Sequence, residues 1–354
     1  MPDKHFRYIG IVILLLILAS LACNFNLGET KLESAAMARD KQGKNKTAQF
    51  ASEDDFYIYF DLKNAPNDTK VKTVWYAVEV EGIEPNTKLG EQEIETGSGA
   101  SYFSLANAQR NTLWALGKYR AEVYIDGEKA ETLKFEVTVQ LDEAYLSSDE
   151  GGDERSAVFA PDATVYANLS IKDAPENDAV VRITWYRGDT VLASEEVPAG
   201  TGGDLRFNLT SEGLFELGDY RADIAVDEDV QDSLELTVTV RILGQYLAKT
   251  PLGETEADTF YPGETPYVIL DVAPSPENDV MVDAIWYVAG EEGRIEAGTT
   301  QVAVGTGGLM TLEPPTDLAF VEGRYIVEVF IGQARLDSLR FSFEPIPESP
   351  FAGG

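Results

Sequence analysis

Apolar Val165, Ala167, Leu169 and Ile171 alternate with Tyr166, Asn168 and Ser170 along one short stretch of the chain. A period of two predicts a strand with one face turned to a core. The alternation returns at Val181, Ile183 and Trp185, and again at Tyr220, Ala222, Ile224 and Val226. Leu234, Leu236, Val238 and Val240 then form a closing strand. Convincing helical periodicity is absent after the N-terminal apolar run, so the pattern predicts an all-β chain of short strands packed as sandwiches.

The pattern also repeats. Pro66-Asn-Asp68 leads to Trp75-Tyr76, Pro175-Glu-Asn-Asp178 to Trp185-Tyr186, and Pro276-Glu-Asn-Asp279 to Trp286-Tyr287, with seven residues from Asp to Trp each time. A turn feeding a strand whose Trp points inward, found three times, predicts a tandem array of one structural unit. Further on, Gly117-Lys-Tyr119, Gly218-Asp-Tyr220 and Gly323-Arg-Tyr325 each open a late strand, and Asp126-Gly127 predicts a two-residue hairpin. The expected units run over 50–141, 153–243 and 256–346. Polar stretches at 147–155 and 249–256 read as linkers between them, and 347–354 as a loose tail.

A Trp on an early central strand, followed by a Gly-x-Tyr before a late strand, resembles the immunoglobulin-like fold. The resemblance makes Trp75, Trp185 and Trp286 the core tryptophans and Tyr119, Tyr220 and Tyr325 the tyrosines of its corner. It covers three copies, so the expected fold is three tandem immunoglobulin-like β-sandwiches. Where that family places a cysteine two residues after the tyrosine, this chain has Ala121, Ala222 and Val327, so each core is expected to hold by packing without a disulfide. The fold implies little about function, because it hosts unrelated partners.

Upstream, Lys4, His5 and Arg7 precede an apolar run from Ile9 to Ala22, the form of a signal peptide over 1–22. The run ends at Ser20-Leu-Ala-Cys23, which resembles the lipobox of bacterial lipoproteins, where the Cys is lipidated and becomes the first mature residue. Ser20 stands where that pattern usually has Leu. Ser20-Leu-Ala22 also fits an ordinary signal-peptidase site, so simple secretion stands beside lipidation at Cys23, and an uncleaved anchor is the third reading. The polar stretch 23–49, with Lys31, Arg39, Lys41, Lys44 and Lys46, reads as a flexible tether from a membrane to the first unit.

Composition narrows the chemistry. Cys23 and His5 are the single Cys and single His, so the repeats offer no Cys/His zinc site, Cys nucleophile or His base. With 61 acidic against 28 basic residues, the formal charge of −33 disfavours nucleic acid as a partner. Asp68, Asp178 and Asp279 in the repeated turns are weak candidates for calcium, because Asn and Asp in such turns ordinarily bond their own backbone. The glycine stretches 97–99, 200–203 and 305–308 are expected as turns, since no following helix or Lys-Ser/Thr completes a phosphate cradle. Tyr76, Tyr186 and Tyr287 point away from the core, to pack across strands or to meet a partner. No catalytic residue, metal or cofactor is expected. The expected function is a non-enzymatic, lipid-anchored extracytoplasmic protein that binds a surface protein or glycan or acts as a spacer. The alternative is a secreted carbohydrate-active enzyme or its accessory module, which would need two carboxylates at a fixed separation in a cleft.

Overall fold

The computed structural model describes residues 29–106, 112–290 and 293–347. All regular elements among them are strands, in three groups of eight. The first group is β1 (Lys31–Ala38), β2 (Gln49–Phe50), β3 (Phe56–Lys63), β4 (Thr69–Val80), β5 (Thr87–Thr96), β6 (Gly99–Leu105), β7 (Gly117–Ile125) and β8 (Glu128–Val137). The second is β9 (Leu141–Ser147), β10 (Val158–Phe159), β11 (Val165–Ile171), β12 (Val180–Arg187), β13 (Thr190–Pro198), β14 (Gly203–Leu209), β15 (Gly218–Val226) and β16 (Asp229–Val238). The third is β17 (Ile242–Ala248), β18 (Thr259–Phe260), β19 (Tyr267–Val272), β20 (Met281–Gly290), β21 (Gly293–Ala303), β22 (Gly308–Leu312), β23 (Gly323–Ile331) and β24 (Ala334–Phe343).

Each group folds into a three-stranded and a five-stranded sheet with the same strand order, β1-β3-β6 and β2-β8-β7-β4-β5 in the first. The short β2 runs parallel to β8, with Phe50 opposite Val137, while the other registered pairs of that repeat are antiparallel. β3 shows how the alternation places a core: Phe56, Ile58, Phe60 and Leu62 are buried between less buried neighbours. They meet Trp75, Tyr119, Ala121 and Phe135 of the other sheet in one apolar cluster. Trp75, Trp185 and Trp286 are at most 2% exposed, so all three face inward as the alternation requires.

The corner tyrosines settle the kind of sandwich. The hydroxyls of Tyr119 and Tyr220 donate to the carbonyls of Ala115 and Glu216, each at 2.7 Å, and that of Tyr325 to Val321 at 3.0 Å. Each bond runs four residues upstream, which is the tyrosine corner of immunoglobulin-like sandwiches. The strand order agrees with it. Packing alone closes these cores: Ala121, Ala222 and Val327, in the cysteine's place, are fully buried. Asp126 and Gly127 form the two-residue β7–β8 hairpin, both with positive φ.

The boundaries differ from those the sequence suggests. Residues 31–38 of the expected tether form β1, which pairs with β3 from Lys31↔Lys63 to Ala38↔Tyr57. The expected linkers are not joints either. β9 and β17 precede them and belong to the second and third sandwiches, and the loops turn back at the bridges Ser147↔Arg155 and Ala248↔Glu256. The repeats therefore span 31–137, 141–238 and 242–343, one strand earlier than the polar stretches imply. Val139 and Val240, between successive repeats, are buried instead of lying in open linkers.

The reason is local hydrogen bonding that composition does not reveal. The Asp40 carboxylate accepts the backbone N–H groups of Gln42, Lys44 and Asn45, and Asp149 does the same for Asp153 and Glu154. These bonds from the Asn45 and Glu154 amides hold both carboxyls below the usual range. Glycines at one equivalent position let each loop lie on its three-stranded sheet. A Cβ on Gly43 would sit 2.5 Å from Tyr59 Cγ, one on Gly152 3.0 Å from Asn168 Oδ1, and one on Gly253 2.5 Å from the Tyr246 hydroxyl. Polar as they are, these loops form part of the fold. Most of the expected loose tail falls outside the described residues.

By proximity the chain divides into two compact units. Of the described residues, the first comprises those up to Glu143 with Ser170–Val181 and Val197–Asp204; the second comprises Ala144–Leu169, Arg182–Glu196 and those from Leu205 onward. The first thus holds the first sandwich with the turn end of the second, where Lys172 Nζ lies 3.4 Å from Glu53 of the first repeat. Within the second unit, Val240 belongs to the core of the third repeat, and Leu217 of the second repeat packs against it.

Candidate interaction surface

The sites expected from sequence fall into three groups. Cys23 lies outside the described residues, so the structure says nothing of its chemistry. Trp75, Trp185, Trp286, Tyr119, Tyr220 and Tyr325 are core residues. Burial pushes the Tyr119 hydroxyl up to about 12 and raises that of Tyr220.

Asp68, Asp178 and Asp279 sit in the turns before β4, β12 and β20, but in two of those turns the neighbouring Asn does the work. Asn177 Nδ2 donates to Pro175 O at 2.8 Å and Gly200 O at 2.6 Å, while its Oδ1 accepts from Ala179 N at 2.9 Å. Asn278 repeats the set with Pro276 O, Gly305 O and Val280 N. The Asn side chain therefore ties the turn to the glycine stretch that ends the neighbouring hairpin. Those glycine stretches are turns, joining β5 to β6, β13 to β14 and β21 to β22. Among the described residues, no group of three or more His, Cys, Asp or Glu side chains is gathered as a metal site.

The outer face of each five-stranded sheet carries a set that sequence reasoning only half found. Beside the inward Trp, the outward Tyr76, Tyr186 and Tyr287 are half-buried, and an arginine lies over each ring. The guanidinium carbons of Arg120, Arg221 and Arg294 stand 4.2, 4.6 and 4.4 Å from the ring centroids. An acid completes each set. Glu122 lies 3.4 Å from Arg120, Asp223 2.8 Å from Arg221, and Glu328 2.5 Å from Arg294. Each acid falls three residues after a corner tyrosine, a regularity visible in the sequence once the repeats are aligned.

Electrostatics fix Glu122 and Glu328 as structural anions. Glu122 accepts the Tyr124 hydroxyl at 2.6 Å, which lowers the carboxyl and pushes the Tyr124 hydroxyl up to about 12. Glu328 is only 2% exposed. Burial alone would raise its carboxyl, but hydrogen bonds from Arg294 and from Arg335 at 2.8 Å outweigh it and hold the group below the usual range. A carboxylate so held ionised is a poor proton donor. Tyr76, Tyr186 and Tyr287 thus pack against arginines across strands.

Past this set, towards the start of β7 and β23, the outer face becomes concave. In the first repeat a concavity of about 650 Å³ is lined by Lys118, Arg120, Lys134 and Glu136 among others. In the third, one of about 350 Å³ is lined by Arg324, Arg340, Asp258 and Ser342 among others.

No protein-family model and no curated protein matches the chain. Among solved structures it is similar to the α2-macroglobulin of Escherichia coli, in a trypsin-activated crystal structure and a cryo-EM reconstruction of the native conformation. Each is 10% identical, with TM-scores of 0.24 and 0.25, covering 87% and 91% of this chain and 23% and 24% of those chains. It thus spans about a quarter of their length. It is also similar to a tetra-tandem repeat in the extending region of a large adhesion protein, at 13% identity and a TM-score of 0.25, covering 87% of this chain and 72% of that one. The fold assignment rests on the strand order and tyrosine corners of this chain.

Proposed function

We propose that the chain is a non-enzymatic binding or spacer protein, carried outside a bacterial membrane by lipid on Cys23. The observation that supports it best is that the side-chain chemistry common to all three repeats is structural. Trp and corner Tyr build the cores, while the outward Tyr, Arg and acid lock one another. A glycoside-cleaving site would need a proton-donating carboxyl beside a second carboxylate, whereas Glu122 and Glu328 are held ionised by their partners. The apolar run before Ser20-Leu-Ala-Cys23 supports the anchor. Growing the producing cell with a labelled fatty acid tests the reading. Label is expected on the wild-type chain and not on Cys23→Ser, with the sandwiches folded in both; label retained by Cys23→Ser would overturn lipidation there.

A further inference from the structure

The outward positions beside the corner tyrosine change sign from repeat to repeat. Immediately before the tyrosine stand Lys118, Asp219 and Arg324, and on the neighbouring strand Lys134, Glu235 and Arg340. Register makes each pair diagonal neighbours on one sheet face. Asp219 is opposite Thr237 and Glu235 opposite Arg221; Arg324 is opposite Ser342 and Arg340 opposite Ile326. Such neighbours lie about 7–8 Å apart.

In the first repeat the basic pair is partly neutralised. Lys118 is opposite Glu136 on one side and Glu79 on the other, with Glu79 Oε2 at 2.9 Å from its Nζ. In the third repeat Ser342 and Ala289 occupy those two places. Arg324 and Arg340 are both exposed, line the same concavity, and pair with no carboxylate among the described residues. Asp258 at its rim accepts the Thr259 hydroxyl at 3.1 Å. Arg324 and Arg340 thus form a local basic pair in a chain with 61 acidic and 28 basic residues. Asp219 and Glu235, at the same two positions of the second repeat, present the complementary charge with both residues exposed.

We propose that the Arg324/Arg340 face of the third repeat docks on the Asp219/Glu235 face of the second repeat in a second copy of this chain. Each copy carries both faces, and the arrangement proposed is the two-fold one in which both contacts form at once, which is isologous and closes as a dimer. Exposed Val191 and Leu192 are successive on β13, the edge strand of the second repeat's five-stranded sheet, so one of the two shares its outer face and adds apolar surface there. The charges set orientation and partner choice more than affinity. Mutual repulsion of two acidic chains is screened beyond about 8 Å at physiological salt, so short-range matching of signs decides the contact. This proposal goes beyond the binding or spacer reading and holds whether or not Cys23 is lipidated.

The test uses the full chain bearing either of two affinity tags, extracted in a non-ionic detergent, mixed at physiological salt and captured through one tag. Wild type is expected to bring down the other tag. The double variants Arg324→Glu/Arg340→Glu and Asp219→Arg/Glu235→Arg, each mixed with itself, are expected to lose about tenfold or more in capture, since like charges then meet. Mixed with each other they are expected to regain it, because one native and one inverted contact are restored. Unfolding midpoints close to wild type show that both variants are folded. No capture by wild type, capture undiminished in either self-mixture, or no recovery in the cross-mixture would each overturn the proposal.

Discussion

Gly152→Ala distinguishes a structural loop from a linker. Gly152 has φ +82°, and an added Cβ would meet Asn168 Oδ1 and the Tyr145 hydroxyl, each at 3.0 Å. A left-handed backbone costs a residue with a Cβ about 1–2 kcal/mol. The displaced group is not free to move: Asn168 is 6% exposed, donates to Ser147 Oγ at 2.8 Å and accepts from Arg206 Nε at 2.9 Å. Weakening those two bonds adds about 1–2 kcal/mol, and the stiffer unfolded chain gives back about 0.5. The net loss is about 2–3 kcal/mol, which for a sandwich of this size lowers the midpoint by about 10 °C or more. Scanning calorimetry of the full chain reads it as a shift of one transition, and protease sensitivity within 148–155 should rise. Gly213, with no atom within 4 Å of its added Cβ, is the control and should tolerate Ala. A midpoint unchanged by Gly152→Ala would show that the loop is not seated on the sheet.

Trp185→Ala should cost its sandwich about 3–5 kcal/mol through lost burial and a cavity, read as loss of the same calorimetric transition. Asn177→Ala should cost about 1–3 kcal/mol by leaving backbone groups of two turns unpaired, whereas Asp178→Ala should shift the midpoint little; equal effects would show that the Asp carries the turn. Because the folded-state carboxyl of Glu328 is lowered, its contribution is full above the ordinary carboxylate range and is lost as pH falls through its folded value. Wild type and Glu328→Gln should therefore differ most at neutral pH and converge in acid, which unfolding midpoints across pH would show. Finally, a 153–243 fragment lacks β9 and should unfold at lower denaturant than a 139–241 fragment; equal midpoints by urea denaturation would show β9 to be dispensable.

What could be read from the chain was short-range. Val181, Ile183 and Trp185 alternate within five residues, and each corner tyrosine bonds a carbonyl four residues back, so both faces and corners were within reach of pattern. β1 was missed because Lys31-Leu-Glu-Ser-Ala-Ala-Met-Ala38 alternates weakly and its partner β3 lies beyond a polar loop. A signal existed. Gly43, Gly152 and Gly253 each precede Phe50, Phe159 and Phe260 by seven residues, a spacing as constant as that from Asp to Trp. It marks the loop as part of the repeat. The arginines over Tyr76 and Tyr186 come from strands more than 30 residues away, and no local pattern announces them.

The third repeat shows which feature of the outer face is constrained. In the first repeat the stacking arginine stands directly opposite its tyrosine, Arg120 across from Tyr76; in the third, Ile326 occupies that place opposite Tyr287. The stack nevertheless survives at 4.4 Å, because Arg294 reaches the ring from the other neighbouring strand, β21. The acid keeps its position and gains a second arginine in Arg335. What persists is the contact, whichever strand supplies the cation, as expected if a half-buried Tyr and a desolvated carboxylate both need that charge. The change has a second effect on the same face. With Ile326 in place of an arginine bound to its own acid, the apolar side chain stands directly opposite Arg340 and two residues from Arg324, with neither arginine paired to a carboxylate among the described residues. An apolar centre flanked by uncommitted charge suits a surface that meets a partner better than one that only covers a sheet.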